Sequence, residues 1–444
     1  MNPEKSVTII GGGIAGLSAA VFLNEKGLKV KLLEASPKLG GRAYSFFDIE
    51  KDQFFDNGQH ILAGWYENTF EYLKITGSYN KLSFQKSLEV NFFNTEKEFY
   101  KLKCPDLTPP WNLITGMLKF KAFSLQDKFA LKNISKLSDH SENTAVSFKN
   151  TGLLLKSLKQ TGNLLKYFWE PFILAVFNTK PENVSPEIFL NVMKKGFSAK
   201  NSSTLVIPDV NLNELLIDRA VDYFSKNKVD ILINCRVEKV VTDESENKVK
   251  YLIIEDGKEI VSDYYISAVP FFGFKNLFDE SIYLKNNFKT ENMKTSSIVS
   301  VHLFVENEIT EEILPANSLG MTGLIGTTVQ WLFVRNKKHL SLVISGADEL
   351  KITDLSHDAI LDLCLKDLRD TIPGFDKLKV SGHKIIKEKR ATFIPDSLNG
   401  DLRIKQKTGY SNFFIAGDWT DTGLPATIES AVTSAKKCVS FIEY

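Results

Sequence analysis

The first forty residues carry the clearest hydrophobic pattern. A β-branched apolar run occupies positions 6–10, a glycine-rich turn occupies positions 11–16, and apolar residues then recur at helical spacing from Leu17 to Leu23. A second apolar run follows at positions 29–33. Because strand, glycine turn, helix and strand in this order open a doubly wound domain, the pattern predicts an α/β fold with a parallel sheet.

The spacing of small residues in the turn predicts a dinucleotide-binding site. Gly11 permits a tight turn, Gly13 lets the backbone approach a pyrophosphate, and Gly16 lets the helix pack closely on the strand. Ala15 lies between them, at the helix N-terminus, which adds unpaired N–H groups and a partial positive charge. Glu34 ends the second strand about 20 residues beyond the turn, where a carboxylate accepts ribose hydroxyls.

The composition disfavours several other classes of protein. The 444 residues carry 55 basic and 54 acidic side chains, with no long basic block, which argues against a nucleic-acid partner. The four cysteines stand more than seventy residues apart, so we expect buried thiols and no metal site. The N-terminus lacks the layout of a signal peptide, and charges interrupt the most apolar stretch, 164–177. We therefore expect a cytoplasmic protein without a membrane span.

The segment LGGRA at 39–43 resembles the GGR motif of the flavin amine oxidase and carotenoid desaturase superfamily. This resemblance implies that the cofactor is FAD. It also implies that Gly41 brings the backbone close to the cofactor and that Arg42 lies along its pyrophosphate, a charge-assisted contact.

The C-terminal region extends this resemblance. Positions 412–419 are typical of a buried strand that ends in Gly417 and Asp418, and a helix is predicted over 424–442. The resemblance implies that Asp418 binds a ribityl or phosphate-side hydroxyl. It also implies that the start of the helix, at Thr427 and Ile428, directs its N–H groups at the flavin ring.

Strand signals between the two ends imply a discontinuous domain. Positions 230–240 resemble the middle strand pair of the superfamily, in which the backbone of Val237 contacts the adenine. The expected architecture is a Rossmann-like FAD-binding domain of the GR2 flavoprotein type, with an inserted mixed α+β substrate domain. The expected FAD-binding domain comprises 1–79, 204–273 and 382–444, and the substrate domain comprises 80–203 and 274–381.

Longer segments are similar to hydroxysqualene dehydroxylases, a squalene-associated FAD-dependent branch of the superfamily. These segments are 56–62 (DNGQHIL), 169–172, 177–179, 388–393 and 416–427. The resemblance implies that Gly58 lies at the cofactor. It also implies that a C30 hydroxylated isoprenoid is reduced at an allylic carbinol to squalene, with loss of water. The flavin would receive its electrons from an unidentified donor.

Three other functions compete with this interpretation. Plant-type carotenoid desaturases share a Gly-x-His segment and an Ala-Gly-Asp end, so a phytoene-type desaturase on the same scaffold is the main alternative. A flavin amine oxidase is the second alternative, but these enzymes favour Glu at the position of Asp418, and this difference counts against that function. A non-catalytic flavoprotein that binds isoprenoids is the third possibility.

Loss of water from an allylic alcohol requires a proton donor, for which the sequence offers few candidates. His60 stands four residues after Asp56, which could polarise its ring, although a histidine bonded to backbone would only support the loop. Arg390 either contacts the cofactor or forms a buried ion pair. Asp421 and Thr422 either bind the departing hydroxyl or, as we favour, cap the following helix.

Two further expectations concern the isoprenoid. The resemblance implies a substrate channel lined by Trp169, Phe172, Phe177, Asn178 and Trp419, although residues of these types are more often plain core. The segment 109–131 mixes apolar residues with lysines. It predicts either an interfacial helix that contacts membrane lipid or a lid packed on its own domain.

Overall fold

The computed structural model describes residues 5–443, apart from positions 50, 135–147, 161 and 198, and shows the α/β fold that the sequence predicts. The strands are β1 (Ser6–Ile10), β2 (Lys29–Leu33), β3 (Ser45–Asp48), β4 (Gln53–Asp56), β5 (Leu62–Ala63), β6 (Leu82–Phe84), β7 (Glu89–Asn94), β8 (Phe99–Lys103), β9 (Leu205–Pro208), β10 (Asp230–Leu232), β11 (Val237–Asp243), β12 (Lys248–Ile254), β13 (Glu259–Ile260), β14 (Tyr264–Ser267), β15 (Thr295–Val305), β16 (Met321–Ile325), β17 (Trp331–Asn336), β18 (His339–Ser345), β19 (Val380–Phe393) and β20 (Phe413–Ile415). The α-helices are α1 (Ile14–Asn24), α2 (Glu67–Thr76), α3 (Trp111–Lys119), α4 (Leu125–Ala130), α5 (Thr151–Ser157), α6 (Glu170–Phe177), α7 (Pro186–Gly196), α8 (Arg219–Lys226), α9 (Phe271–Phe274), α10 (Glu280–Lys285), α11 (His357–Thr371), α12 (Ser397–Leu402) and α13 (Ile428–Ser440).

A five-stranded parallel sheet contains the N-terminal motif. Its strand order is β10-β2-β1-β14-β20, so the first and last strands of the chain belong to the same sheet. Ile9, Leu32 and Ile266 lie side by side in its core and are fully buried. Because the strands are parallel, their carboxyl ends meet at one edge, where ligands bind in open α/β sheets.

A seven-stranded mixed sheet forms the second layer, in the order β19-β15-β18-β17-β16-β7-β8. Its longest pair, β15 with β19, is antiparallel and runs from Thr295 opposite Phe393 to Val305 opposite Val380. The domain boundary expected at 382 therefore falls inside a strand. Residues 382–393 lie in this second sheet, because their backbone pairs with β15 and not with the parallel sheet.

The C-terminal elements are shorter than the sequence pattern predicts. The final strand is only β20, and α13 begins at Ile428 rather than near 424. Thr427 caps this helix by accepting a hydrogen bond from Ser430 N at 3.1 Å. The favoured capping role of Asp421 and Thr422 is therefore wrong, since both lie in the turn before the cap.

Two expectations from composition can be compared with the structure directly. All four cysteines are free and buried, as predicted, and burial raises the pKa of Cys104 and of Cys364 to about 12. No helix in the described part of the chain combines the length and the apolar character needed to cross a bilayer.

Candidate active site

A cavity of about 820 Å³ connects the carboxyl edge of the parallel sheet with the face of the seven-stranded sheet. This volume lies at the upper end of the range of about 300–1,000 Å³ for small-molecule sites. Glycines, Glu34, Arg42 and Asp418 line one end. The other end is apolar, and its wall comprises Leu88, Val90, Phe92, Leu102, Phe168, Phe172, Met321, Trp331, Phe333 and Val343.

The glycine turn leaves an open cradle at the polar end. Gly11, Gly13 and Ala15 line the cavity, and a Cβ placed on Gly13 would have Gly41 Cα, at 3.9 Å, as its nearest heavy atom. Gly16 lies behind the turn, not on the cavity wall. A Cβ there would stand 1.9 Å from Gly11 O, so Gly16 is required for helix packing. These positions fit a bound pyrophosphate.

Glu34 stands at the end of β2, beside the cradle. Its Oε2 accepts a hydrogen bond from Gly12 N at 2.6 Å, and its Oε1 accepts one from Ser36 N at 2.8 Å. These backbone donors fix the carboxylate in the cavity wall, next to Cys235 and Val237. An acceptor held beside a strand backbone fits the ribose and adenine of a dinucleotide.

Arg42 and Asp418 meet across the polar end. Arg42 Nη2 lies 2.6 Å from Asp418 Oδ1, and Arg42 Nη1 donates to Ala391 O at 2.8 Å. Gly417 precedes the carboxylate at φ +149°, and a Cβ there would stand 2.6 Å from Trp419 Nε1. Glycine at 417 therefore lets the turn present Asp418 and Trp419 to the cavity together.

Arg403 supports this turn and was missed by the sequence reasoning. It is buried, and its guanidinium donates to the carbonyls of Asp418 and Trp419 at 3.3 Å, to Thr422 Oγ1 at 3.0 Å and to the carbonyl of Thr420. Burial lowers its pKa to about 10. No local signal identifies it, because all its acceptors are contributed by a turn further along the chain.

His60 lines the cavity, but its contacts do not suit the role of a proton donor. Its Nδ1 lies 2.9 Å from Gly58 O, and a carbonyl oxygen can only accept, so Nδ1 carries the hydrogen. Burial lowers the pKa of His60, against smaller opposing effects of Gly58 and Asp56. A neutral ring with its hydrogen on Nδ1 presents an acceptor at Nε2.

Asp56 forms no hydrogen bond with His60, contrary to the sequence hypothesis, and its charge has a smaller effect on the pKa of His60 than burial has. Asp56 Oδ1 accepts hydrogen bonds from Ser45 Oγ at 2.6 Å and from Leu212 N at 3.1 Å. It lines a different, smaller cavity. Asp56 ends β4, and Gly58, at φ +111°, reverses the chain before His60. Spacing of four residues brings side chains together on a helix, not across such a turn.

Arg390 also differs from expectation. It is exposed, does not line the cavity and stacks over the ring of Phe272 at 4.5 Å. Arg390 therefore forms no buried ion pair with the described residues, and its side chain lies outside the cavity wall.

The five residues predicted to line a substrate channel divide between the cavity wall and the protein core. Phe172, Asn178 and Trp419 line the cavity. Trp169 and Phe177 do not: Trp169 is fully buried and donates from Nε1 to Gln160 Oε1 at 3.2 Å, and Phe177 is buried against Phe189. These two are plain core, and the prediction that they line a channel was wrong.

Several wall residues were missed. Tyr66, Asn57 and Glu388 line the polar part, and β17 contributes Trp331 and Phe333 to the apolar wall. The alternation of Trp331 and Phe333 was a usable signal, because residues two apart in a strand share one face. Tyr66 gave no such signal, since it precedes α2 in an irregular segment.

A second cavity of about 150 Å³ lies behind the loop that carries His60 and shares Gln59 with the first. It contains two buried histidines, with His302 Nδ1 lying 3.0 Å from His339 Nε2. Burial lowers the pKa of His302 to about 4 and that of His339 to about 3.

Acidification should destabilise the protein through this histidine pair. In an unfolded chain both rings take up protons near pH 6.5, whereas the folded protein keeps them neutral down to about pH 4. The free energy of unfolding therefore falls as the pH drops through this interval, by about 3 kcal/mol for His302 alone. Urea denaturation between pH 7 and 4 measures this slope.

The histidine variants decide whether the pair is responsible. His339→Gln should reduce the slope of unfolding free energy against pH. His357→Gln, which changes an exposed histidine on α11, should leave the slope unchanged. Equal slopes in wild type and His339→Gln would show that other groups control the acid response.

The chain is similar in sequence and fold to known flavin-dependent proteins. A family profile described as flavin containing amine oxidoreductase matches residues 14–440. Hydroxysqualene dehydroxylase of Zymomonas mobilis subsp. mobilis is 28% identical and aligns over 97% of this chain and 97% of its own. A chloroplastic/chromoplastic 15-cis-phytoene desaturase of an Oncidium hybrid cultivar is 27% identical over 100% of this chain and 78% of its own. An oxidoreductase structure from Methanosarcina mazei has a TM-score of 0.74 at 17% identity, covering 98% of this chain and all of its own, and therefore has the same fold.

Proposed function

Because the chain belongs to the flavin containing amine oxidoreductase family and is an FAD-dependent oxidoreductase, we propose that it reduces hydroxysqualene to squalene. The observation that carries this proposal is the continuity of the cavity, in which a nucleotide-shaped polar end opens into a long apolar wall. A hydrocarbon chain requires such a wall, because each buried methylene contributes about 0.8 kcal/mol. Two of the similar proteins, from Zymomonas mobilis subsp. mobilis and Sinorhizobium fredii, are named hydroxysqualene dehydroxylase.

The proposed reaction replaces the C–O bond of an allylic alcohol by a C–H bond. One hydride and one proton are consumed, and the hydroxyl leaves as water. FAD, when bound and reduced by an external electron donor, supplies the hydride. Glu34, Arg42 and Asp418 would hold the cofactor, since they line the polar end of the cavity.

The chain itself must orient the substrate, exclude water and provide a hydrogen-bond donor for the departing hydroxyl. The apolar wall performs the first two tasks, because a dry cavity strengthens the polar interactions inside it. Tyr66 is our candidate donor. Burial and then the nearby charge of Glu429 raise its pKa well above the ordinary value, so its hydroxyl keeps its hydrogen at neutral pH. His60 Nε2 is an acceptor, so His60 suits a hydrogen bond from the water that leaves.

Anaerobic single-turnover experiments test the reaction. Chemically reduced holoprotein mixed with hydroxysqualene should yield squalene, with oxidation of the flavin seen in the same sample. Tyr66→Phe should retain flavin and lose most of the rate. Lack of squalene, with the flavin remaining reduced, would contradict the proposal.

Desaturation is the second candidate function, because several of the similar proteins are plant 15-cis-phytoene desaturases at 25–27% identity. The same cavity would then hold the hydrocarbon while hydride passes from it to oxidised flavin, the reverse of the direction proposed above. Oxidised holoprotein that introduces double bonds into phytoene would support desaturation. Tight retention of lipid without turnover in either direction would support a binding protein.

We further propose that the protein takes its substrate from an anionic lipid surface through α3 and α4. Trp111 and Leu118 on α3 and Leu125 and Phe129 on α4 are 62%, 46%, 76% and 71% exposed, and Lys119 and Lys121 lie between them. This α3–α4 surface adjoins the cavity, because Asn112 donates to Ser203, which is part of the cavity wall. Apolar residues interspersed with lysines suit lipid headgroups.

Sedimentation with phosphatidylglycerol vesicles tests this surface. The double variant Trp111→Ser/Phe129→Ser should bind at least about tenfold more weakly, because burying each large apolar side chain contributes about 1.5–3 kcal/mol. The control Val261→Ser/Leu284→Ser also removes two exposed apolar residues, which are 71% and 61% exposed, but outside the α3–α4 surface. An equal loss in both double variants would show that the α3–α4 surface has no special role.

A further inference from the structure

Glu429 is a buried carboxylate next to the cavity end of α13. It is 1% exposed and directly follows Thr427 and Ile428, which line the cavity. Its side chain reaches the N-terminus of α2. Oε1 accepts hydrogen bonds from Asn68 N at 3.2 Å and Asn68 Nδ2 at 3.0 Å, and Oε2 accepts from Thr69 N at 2.9 Å and Thr69 Oγ1 at 2.7 Å.

The surroundings of Glu429 suit the ionised form. Each of its hydrogen-bond partners in the described part of the chain is a donor, including Thr433 Oγ1 at 3.4 Å from Oε1. The amide groups Asn68 N, Asn68 Nδ2 and Thr69 N can only donate, so they favour a carboxylate; a protonated carboxyl could give its hydrogen only to the hydroxyl of Thr69 or Thr433. The N-termini of α2 and α13 also favour an anion. Burial is the larger effect and raises the pKa of Glu429 above its ordinary value, and the hydrogen bonds from Thr69 and Asn68 reduce that rise without reversing it.

The charge of Glu429 reaches the cavity wall. Tyr66 lines the cavity, and the charge of Glu429 is, after burial, the second cause that raises the pKa of this phenol. In a dry site a charge acts over a longer distance than in water, because little solvent screens it. A group bound beside Thr427 therefore experiences both the positive end of α13 and the negative charge of Glu429.

We propose that Glu429 lowers the reduction potential of the bound flavin and so favours delivery of hydride to the substrate over its removal. A helix N-terminus alone stabilises a reduced, negatively charged flavin and raises its potential. A fixed carboxylate next to that terminus acts in the opposite direction. Glu429 is thus a tuning residue that acts through its field, without contact with the substrate. This role rests on the proposed function only for its consequence, the direction of the reaction.

Redox titration of the holoprotein against a dye of known potential tests the role. Glu429→Gln removes the charge at constant shape, and should increase the ratio of reduced to oxidised flavin at least tenfold at a fixed potential. This increase corresponds to an upward shift of about 30 mV for a two-electron couple. Glu429→Asp keeps the charge and should stay within a few-fold of wild type. An unchanged ratio in Glu429→Gln, or equal shifts in both variants, would overturn the proposal.

A second variant keeps the test decisive if Glu429→Gln fails to retain flavin. Thr433→Lys adds a cation at a half-buried position beside Glu429 and leaves the carboxylate in place. It should also increase the reduced fraction, and an unchanged fraction would overturn the proposal. The titration uses no isoprenoid, so failure of squalene formation and failure of redox tuning are separate results.

Discussion

Replacing Gly16 with alanine should abolish flavin retention through loss of folding. The added Cβ would stand 1.9 Å from Gly11 O, a backbone atom that cannot rotate aside. Either α1 moves away from β1 or the turn opens, and both changes disrupt the buried core between them. Overpacking commonly costs about 1–3 kcal/mol, and a clash with backbone places this variant at or above that range. Thermal unfolding and flavin absorbance of the purified protein measure the two losses.

Gly13→Ala separates cofactor binding from folding. A Cβ at Gly13 has its nearest neighbour at 3.9 Å, so the variant should fold normally while the methyl group occupies space at the pyrophosphate position. Its melting temperature should match that of wild type apoprotein, and its flavin affinity should fall at least tenfold. Gly382→Ala is the control, because Gly382 does not line the cavity and a Cβ there has Lys51 Nζ, at 3.5 Å, as its nearest heavy atom. For Gly16→Ala, a melting temperature and a flavin absorbance equal to those of wild type would contradict the packing argument.

The residues that line the polar end of the cavity were predictable because their signals are local. Strand, glycine turn, helix and acidic strand end occur within 34 residues, and each step follows from spacing alone. The positions of Gly13, Glu34 and Arg42 on one cavity wall need only the parallel pairing of β1 with β2. The branch of the superfamily, the substrate and the roles of single residues are not determined by such spacing.

Long-range pairing explains what the sequence did not reveal. Trp169 and Phe172 lie in the same motif, yet only Phe172 reaches the cavity, because the packing partners that decide this are remote in the chain. The domain boundary predicted at 382 falls inside β19 for the same reason, as its partner β15 lies some eighty residues earlier. Glu429 and Arg403 bind backbone and side chains of distant or irregular segments, so neither leaves a periodic pattern.

Asp418→Asn should weaken flavin binding by about ten- to a hundredfold, the effect of losing a charged hydrogen bond worth about 1.5–3 kcal/mol. Arg42 engages Oδ1 at 2.6 Å, and no hydrogen bond from the described residues engages Oδ2, so this oxygen is available to a cofactor hydroxyl. Fluorescence titration of apoprotein with FAD measures the dissociation constant.

Combining substitutions at Arg42 and Asp418 tests the role of their ion pair more directly than either single substitution. Because their side chains touch, Arg42→Gln and Asp418→Asn together should weaken FAD binding by less than the product of the single effects. Asp421→Asn, three residues further along and outside the cavity wall, should leave FAD affinity unchanged. Full multiplicative effects in the double variant would mean that the two groups hold the cofactor independently. The ion pair would then be a contact that FAD breaks when it binds.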